Sequence, residues 1–325
     1  MLPPILSIVI PTYNRRECLK RTLEGILAQR GDGVEVLVSD NCSTDGTWDY
    51  LRGLEGSVQS VRQTRNVGAE LNMLGLFERA TGKYVWLLCD DDLPCPNSVD
   101  SIMEAVQEFD SPPFVFLRAA GATDEMCARQ CAPAVPTSWR EYDRDQFLSE
   151  IGEMFTFAPC NIVRRDMIDM AFLREQVGSS LVPAALCLST AGRCNRIILS
   201  DRPLLFGVMG RPCYGTYPVF TRGILALMHR CRSFGFDRRV MRTAYDLNLA
   251  RVVAAVIRDL TPDWKSFCLI LRYGLLYPSF YTSVIPALLR KMVPQRHRSR
   301  LKWLARTARN FCRPAMSGEP KTGPK

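Results

Sequence analysis

The chain has 325 residues, of which 47% are hydrophobic and 23% charged, with 21 glycines and 21 prolines. This composition is that of an ordinary globular protein, and it excludes collagen-like, low-complexity and wholly disordered classes. The thirteen cysteines contain no CxxC pair, and the N-terminus lacks the basic region and cleavage site of a secretory signal. We therefore expect reduced thiols in an intracellular protein. With only two histidines, no zinc site is indicated.

The positive charge is concentrated at the C-terminal end. Residues 290–325 contain eleven basic residues and one acidic residue, whereas the rest of the chain has a net charge of about −1. Within this segment, residues 298–311 have the period of an amphipathic helix, with Leu301, Leu304 and Phe311 on one face and Trp303 at its boundary. This pattern is typical of a helix that lies in a membrane interface. The last nine residues are predicted to be disordered.

The first 120 residues alternate between short apolar runs and amphipathic stretches. This alternation predicts βαβ units and a mostly parallel sheet flanked by helices, an α/β fold. In the helix at 69–80, we expect Leu71, Leu74 and Phe77 to face inward. The predicted strands are 6–10, 34–39, 57–62, 83–89 and 114–117, and the predicted helices are 15–29, one ending at 51, 69–80 and 98–109.

The pattern changes after residue 120. We predict a helix at 143–154, a strand at 157–163, a helix at 165–173, a strand at 196–200 and a helical region at 222–260. Residues 267–289 form the most apolar stretch, but their uncharged run of 17 residues contains two prolines. A membrane-spanning helix is therefore disfavoured, while a buried helical hairpin and a membrane-interface segment both stay open. The predicted division is 1–210, 211–289 and 290–325.

Four polar loops follow the first four predicted strands. They are residues 11–15, 40–47, 65–68 and 90–92. In a parallel sheet, ligands bind at the carboxyl ends of the strands, so we expect these loops to form one site. The last loop consists of three adjacent aspartates, which repel one another unless a cation lies among them. Oxygen ligands of this kind suit Mg²⁺ or Mn²⁺.

These loops carry a recognisable set of motifs. The strings SIVIPTYNR, SDNCSTDGT, RNVGAELN and LLCDDD occur in this order. Together they resemble the nucleotide-sugar domain of the family 2 glycosyltransferases, which have the GT-A fold, over about the first 120 residues. The resemblance is closest to bacterial enzymes that build O-antigen and capsule oligosaccharides, such as abequosyltransferase-like enzymes. It implies a GT-A domain followed by a C-terminal helical region.

The resemblance implies a role for individual residues. Three acidic residues carry the metal and ribose contacts: Asp90 and Asp92 correspond to the DxD motif that holds the metal and the donor, and Asp91 is a candidate for the same role. The nucleotide-sugar-binding residues that it implies are Pro11, Thr12, Tyr13, Asn14, Asp40, Asn66, Gly68 and Asp90.

An inverting transfer also needs a general base for the acceptor hydroxyl. The resemblance implies a downstream carboxylate, often in a Glu-Asp pair, but no such pair occurs after residue 120. Glu175 is the chosen candidate, and an ordinary surface carboxylate at a helix end is the competing interpretation. The other candidates are Asp124, Glu125, Glu141 and Asp143.

The resulting hypothesis is a metal-dependent, inverting transferase of a hexosyl or deoxyhexosyl group. Its donor is a nucleotide sugar, and its acceptor is a glycan, expected to be linked to a polyprenyl lipid. The cationic C-terminus predicts peripheral attachment to the cytoplasmic face of a membrane. A nucleotidyltransferase and a non-catalytic basic membrane-binding or nucleic-acid-binding protein are the alternatives; we expect no nucleic acid partner, because the acidic triad is intact.

Overall fold

The computed structural model describes residues 3–122, 136–208, 216–259 and 262–292. The described chain divides into two compact units. The first comprises the residues up to 208 together with Ala226–Met241, and the second comprises residues 216–225 and 242–292. The predicted division at 210 and 289 stays a prediction, as does the amphipathic helix at 298–311, which lies outside the described residues.

The first unit is built on one mixed sheet. Its strand order is β3-β2-β1-β4-β8-β6-β9-β5, and β7 pairs with β9. The strands β1 to β4 run parallel, as predicted, whereas β8 is antiparallel to both β4 and β6. The strands are β1 (Leu6–Thr12), β2 (Val34–Asp40), β3 (Gln59–Arg62), β4 (Tyr84–Leu87), β5 (Leu93–Pro94), β6 (Phe114–Ala122), β7 (Trp139–Tyr142), β8 (Asn161–Arg164) and β9 (Ile197–Val208).

The central strands are buried on both faces. All seven residues of β2 are buried, and β1 and β4 are buried nearly throughout. Strands covered on both faces are typical of parallel sheets with helical crossovers. The helices of this unit are α1 (Arg16–Leu27), α2 (Thr47–Arg52), α3 (Ala69–Arg79), α4 (Ser98–Glu108), α5 (Arg144–Ile151), α6 (Met170–Arg174), α7 (Val182–Gly192) and α8 (Ile224–Cys231), the last of which begins in the second unit.

The face predicted from periodicity is largely buried in α1 but only partly buried in α3. Leu19, Leu23 and Ile26 of α1 are buried completely, as expected for an amphipathic helix on a sheet. In α3, the prediction that Leu71 faces inward is wrong, because its side chain is 48% exposed. The neighbouring Asn72 is buried instead, because its amide exchanges hydrogen bonds with the Ser39 side chain and backbone at the end of β2.

Several predicted boundaries shift for local reasons. The strand predicted at 157–163 begins only at Asn161, because Ala158–Cys160 form a 3₁₀ turn whose Pro159 carbonyl accepts a hydrogen bond from Trp86 Nε1 at 2.8 Å. The helix predicted at 143–154 is α5, which begins after a capping box in which Asp143 accepts from the backbone N–H of Gln146. The short β5 and β7 were not predicted.

The second unit is helical, as predicted for 222–260. Three of its segments have π-helical geometry: Val219–Gly223, Leu249–Val253 and Phe280–Val284. Apart from the one-turn helix Thr216–Pro218, its other helices are α9 (Arg238–Asn248, which begins in the first unit), α10 (Ala254–Asp259), α11 (Trp264–Gly274) and α12 (Ile285–Met292). Among the residues that the structure describes, no helix combines the length and the apolar character needed to cross a bilayer.

Candidate functional site

The three aspartates begin a turn that is separated from the end of β4 by two residues, at the carboxyl end of the parallel strands. We call Asp90, Asp91 and Asp92 the acidic turn. Thr12, the last residue of β1, donates from its hydroxyl to Asp90 Oδ2 at 2.7 Å. The Arg15 guanidinium lies 3.3 Å from Asp90 Oδ1 and also contacts Asp91 Oδ2. The loop after β1 therefore holds two of the three carboxylates.

A buried threonine of α1 fixes the backbone of the acidic turn. The Thr22 hydroxyl lies 3.0 Å from the carbonyl oxygen of Asp90 and 2.9 Å from that of Asp92, and it shares its one proton between them. Thr22 is completely buried. Thr22 lies outside the sequence motifs, but a threonine on the otherwise apolar inner face of α1 is a signal that points to it.

Burial and mutual repulsion raise the pKa values of two of these carboxyls. Asp90 and Asp92 are only 6% and 3% exposed. Burial raises the pKa of Asp90 to about 6, against the hydrogen bond from Thr12 and the charge of Arg15. Burial, with the Asp91 and Asp90 carboxylates nearby, raises the pKa of Asp92 to about 8. The acidic turn is thus an environment that favours a bound positive charge.

The acidic turn fits a divalent cation. Asp92 Oδ2 is buried and has no hydrogen-bond partner, so it is an oxygen ligand that is still available. One ligand atom each from Cys89, Asp91 and Asp92 lies within 4.8 Å of the others. Burial and the three carboxylates raise the pKa of the Cys89 thiol, so the thiol stays protonated and is a poor ligand. The carboxylate oxygens suit Mg²⁺ or Mn²⁺.

The end of β2 lies beside the end of β1. Asp40 is paired in register with Thr12 and is completely buried. Its Oδ1 accepts a hydrogen bond from the Ser43 backbone N–H at 3.0 Å, and its Oδ2 lies 3.3 Å from Arg62 Nε, in an ion pair without hydrogen-bond geometry. The sequence predicts Asp40 as a nucleotide-binding residue, and in the described structure its Oδ2 accepts no hydrogen bond.

The loops after β1 and β2 are tied together by Asn14. Its backbone N–H donates to Ser43 Oγ at 2.8 Å, and its side-chain oxygen accepts from the Thr44 backbone N–H at 2.8 Å. Asn14 has φ of +51°, a left-handed conformation that asparagine tolerates better than most residues. Pro11 and Thr12 precede this turn, and Tyr13 is 42% exposed, so its ring is accessible to a ligand.

The third loop joins the same edge through two asparagines. Asn41 donates from its side chain to Asn66 Oδ1 at 2.9 Å, and Asn41 Oδ1 accepts from the Val67 backbone N–H. Asn66 Oδ1 also accepts from the Gly68 N–H at 2.9 Å. Gly68 has φ of +89°, where a side chain would be strained. Asn41 was not among the predicted site residues.

The structure thus brings the predicted residues of the four loops together at one sheet edge. Thr12 connects the second and fourth loops directly, since its hydroxyl bonds Asp90 and its carbonyl accepts from the Asn41 N–H at 2.9 Å. This edge combines buried carboxylates, a free carboxylate oxygen, exposed backbone turns and one exposed aromatic ring. It can hold a cation and a polar ligand.

The general-base candidate forms its ion pair away from the four loops. Glu175 lies at the end of α6, its side chain is 64% exposed, and its carboxylate is 3.3 Å from Arg230 Nη1. Glu141 forms an ion pair with Arg196 at 2.9 Å, and Asp143 caps α5. Asp124 and Glu125 lie outside the described residues. The assignment of Glu175 stays a prediction.

The sequence of this chain is similar to that of known glycosyltransferases. The sequence profile of the family described as Glycosyl transferase family 2 matches residues 7–170. The chain is 26% identical over 197 residues to abequosyltransferase RfbV of Salmonella typhimurium, covering 54% of this chain and 58% of RfbV. It is 28% identical over 109 residues to the GalNAc(5)-diNAcBac-PP-undecaprenol beta-1,3-glucosyltransferase of Campylobacter jejuni, covering 32% of this chain and 35% of that protein. The chain therefore matches between about a third and three fifths of these relatives.

The fold has solved counterparts. Residues 1–349 of S. aureus TarS, in complex with UDP-GlcNAc, superimpose with a TM-score of 0.59 at 15% identity, covering 94% of this chain and 87% of that one. At this identity the likeness shows the fold alone, and it confirms the predicted GT-A class, with the sheet mixed rather than mostly parallel. Since the profile covers half of the chain, including all four loops, the chain belongs to glycosyltransferase family 2.

Proposed function

We propose that the protein is a metal-dependent glycosyltransferase that moves one hexosyl or deoxyhexosyl group from a nucleotide sugar to a glycan in cell-surface polysaccharide synthesis. The observation that carries the proposal is the acidic turn, with its buried and unpartnered Asp92 oxygen, at the edge where the loops after β1, β2 and β3 meet. The relative with a diphosphoundecaprenol-linked substrate in its name supports a polyprenyl-linked acceptor.

The donor would lie across the four loops. The turn of Pro11, Thr12 and Tyr13 would pack along the base, with Asn14 fixing its backbone. Asp40 would accept a hydrogen bond from the base or ribose through Oδ2, which has no hydrogen-bond donor in the described structure. Asn66 and Gly68 would flank the nucleotide on the opposite side. Because these contacts are equally strong in the ground state and the transition state, they support binding rather than turnover.

Asp90 and Asp92 would hold the metal, and Asp91 would contribute charge while it is paired with Arg15. A bound Mg²⁺ or Mn²⁺ supplies stabilisation of the negative charge that develops on the diphosphate leaving group. Thr22 keeps the turn in place by bonding its backbone. The Thr12 hydroxyl orients the Asp90 carboxylate by donating a hydrogen bond to its Oδ2. The carboxylate would therefore be in place before the nucleotide sugar binds.

The reaction would be a single displacement with inversion. The acceptor hydroxyl oxygen forms a bond to the anomeric carbon as the bond from that carbon to the diphosphate oxygen breaks. The hydroxyl proton passes to the general base, for which Glu175 is the candidate, and the nucleoside diphosphate leaves. Replacing Glu175 by Gln tests this role: the transfer rate would fall at least a hundredfold with donor affinity unchanged, and normal transfer would end the candidacy.

We further propose that the protein is attached peripherally to the cytoplasmic face of a membrane. Residues 290–325 carry a net charge of +10, and each basic residue near an anionic surface contributes about 1 kcal/mol to attachment. This location would place a soluble donor and a lipid-linked acceptor at one site.

The direct test is a donor screen. UDP-, CDP-, GDP- and dTDP-sugars are incubated with the protein and Mg²⁺ or Mn²⁺, with and without chelator, and products are identified by mass. We expect one donor class to be turned over only with metal. Asp92→Ala should abolish turnover, whereas Asp49→Ala, the same change at a 73%-exposed carboxylate of α2, should not. Turnover that is indifferent to chelator, or unaffected in Asp92→Ala, would contradict the metal assignment.

A further inference from the structure

Exposed apolar side chains of the described residues are concentrated in one part of the second unit. Eight large hydrophobic residues are exposed, and four of them lie between positions 264 and 281. The two most exposed are Trp264, at 76%, and Leu276, at 78%. Single exposed apolar residues are ordinary, but a cluster that includes a tryptophan marks an interaction surface.

These side chains form a stripe along α11 and the turn after it. Trp264, Cys268, Leu271 and Leu275 recur at intervals of four, three and four residues, which places them on one face of a helix. We call these residues, with Leu276, the outer stripe. Leu275 is 48% exposed, Cys268 is exposed and Leu271 is half-buried.

A neighbouring face of α11 is fixed against the rest of its unit. Ile270 is completely buried. A Cβ on Gly274 would lie 2.4 Å from the ring of Phe280, so this glycine permits an approach that no other residue allows. Phe280 is itself buried. This packed face holds α11 in place, and Trp264, Cys268 and Leu275 lie on the side of the helix that stays exposed.

The charges around the outer stripe are basic. Lys265 and Arg272 are exposed and lie one position along the helix from stripe residues. Arg242 donates to the Leu276 carbonyl oxygen at 2.7 Å and lies 5.3 Å from the Tyr277 ring centroid. It is therefore a third positive charge, next to Leu276 at the C-terminal end of the outer stripe.

Both described acidic side chains nearby accept hydrogen bonds from backbone groups. Asp263 Oδ1 accepts from the Ser266 N–H, and Asp246 Oδ1 accepts from the Ser279 N–H. Both keep their negative charge, so Lys265, Arg272 and Arg242 leave an excess of one positive charge around the outer stripe.

We infer that the outer stripe inserts into an anionic lipid surface. Exposed tryptophan and leucine flanked by lysine and arginine is the pattern of a helix that lies in a bilayer interface. Charge complementarity favours anionic headgroups, and the chain continues after α12 into the segment with a net charge of +10. The inference goes beyond the attachment proposed above, because it assigns an apolar contact to the folded second unit that does not depend on the tail.

The test measures partitioning of the full chain onto vesicles. Vesicles of phosphatidylglycerol and phosphatidylethanolamine are compared with pure phosphatidylcholine by flotation, at low and at high salt. High salt screens the tail but leaves apolar insertion intact. We expect Trp264→Ser and Leu276→Ser each to lower the partition coefficient roughly tenfold at both salt concentrations. Leu71→Ser is the matched control, since Leu71 of α3 is 48% exposed, as Leu275 is, and it should bind as the wild type does.

A second readout locates the tryptophan. Lipids brominated in their acyl chains should quench part of the wild-type fluorescence, and Trp264→Phe should remove that part. Equal partitioning of the wild type and of a double variant that combines Trp264→Ser with Leu276→Ser, at both salt concentrations, would overturn the inference. The inference would also be overturned if the wild type sedimented as a dimer and the double variant as a monomer. A second copy of the chain would then cover the outer stripe. Donor turnover in solution without vesicles is measured separately, so failure here is distinguishable from failure of the proposed reaction.

Discussion

Replacing Thr22 by Val removes one hydroxyl and preserves the shape of the side chain. In the native structure that hydroxyl lies 3.0 and 2.9 Å from the carbonyl oxygens of Asp90 and Asp92, and the site is completely buried. The variant therefore leaves the backbone of the acidic turn without its partner and without access to water. The side-chain packing of α1 is otherwise unchanged.

The cost follows from the lost partner. An unsatisfied buried polar group costs about 1–3 kcal/mol of the free energy of unfolding. For a domain of roughly 150–250 residues, each kcal/mol corresponds to about 2–4 °C in melting temperature. We therefore expect the melting temperature to fall by several degrees. Because the turn loses its fixed geometry, Mn²⁺ affinity should fall as well, by roughly tenfold if about 1.4 kcal/mol of positioning is lost.

Thermal unfolding followed by circular dichroism measures the first effect, and calorimetric titration with Mn²⁺ measures the second. Thr22→Ser keeps the hydroxyl and should restore most of the metal affinity despite the lost methyl group. If Thr22→Val unfolds within about 0.5 kcal/mol of the wild type, and binds Mn²⁺ equally well, Thr22 does not hold the acidic turn.

Three further predictions concern donor binding, charge and packing. Asp40→Asn should weaken donor affinity about ten- to a hundredfold, because a hydrogen bond to a charged group contributes about 1.5–3 kcal/mol. Steady-state kinetics should show a smaller effect on turnover, and a pure turnover defect would contradict the assigned role. Arg15→Gln should tighten Mn²⁺ binding several-fold in calorimetric titrations without nucleotide, since it removes a competing cation from the acidic turn; weaker binding would argue against this. Gly82→Ala should destabilise the fold by more than about 2 kcal/mol in urea unfolding, because the new Cβ would lie 2.8 Å from the Ser7 backbone nitrogen. Gly25→Ala is the control, since this glycine of α1 faces open space, and the change should stabilise the fold by about 0.5–1 kcal/mol. Equal effects of the two changes would refute the packing argument.

The sequence was most informative where the fold is local. The parallel strands and their loops follow from apolar runs that end at polar motifs, and the structure places those loops together. Residues 6–10 predict β1 because five apolar or small residues precede a proline, and the observed strand adds only two residues at its end, Pro11 and Thr12.

Long-range pairings were not accessible in the same way. Glu35 lies within a predicted strand, where an acidic residue normally faces solvent, yet it is buried. Its carboxylate accepts from the Thr81 N–H at 2.7 Å, from the Gly82 N–H at 3.1 Å and from the Ser7 hydroxyl. Those partners are up to 47 positions away in the sequence, so only the assembled sheet reveals why the charge is tolerated.

The antiparallel half of the sheet shows the same limitation. Leu93–Pro94 is a strand only because it pairs with Phe206 and Leu205 of β9, and two residues carry no periodicity. The candidate base illustrates the point for function. Glu175 was chosen from its position along the chain, and the structure shows an ion pair with Arg230 that no local pattern predicts.

The central claim is that the acidic turn binds a metal that in turn holds a nucleoside diphosphate. The most direct measurement is calorimetric titration of UDP, CDP, GDP and dTDP into the wild type and into Asp92→Asn, with Mn²⁺ and with chelator. We predict that one nucleotide binds the wild type at least tenfold more tightly with Mn²⁺ than with chelator, and that Asp92→Asn loses this difference while its circular dichroism spectrum is unchanged. Metal-independent nucleotide binding, or an unchanged metal effect in Asp92→Asn, would contradict the claim.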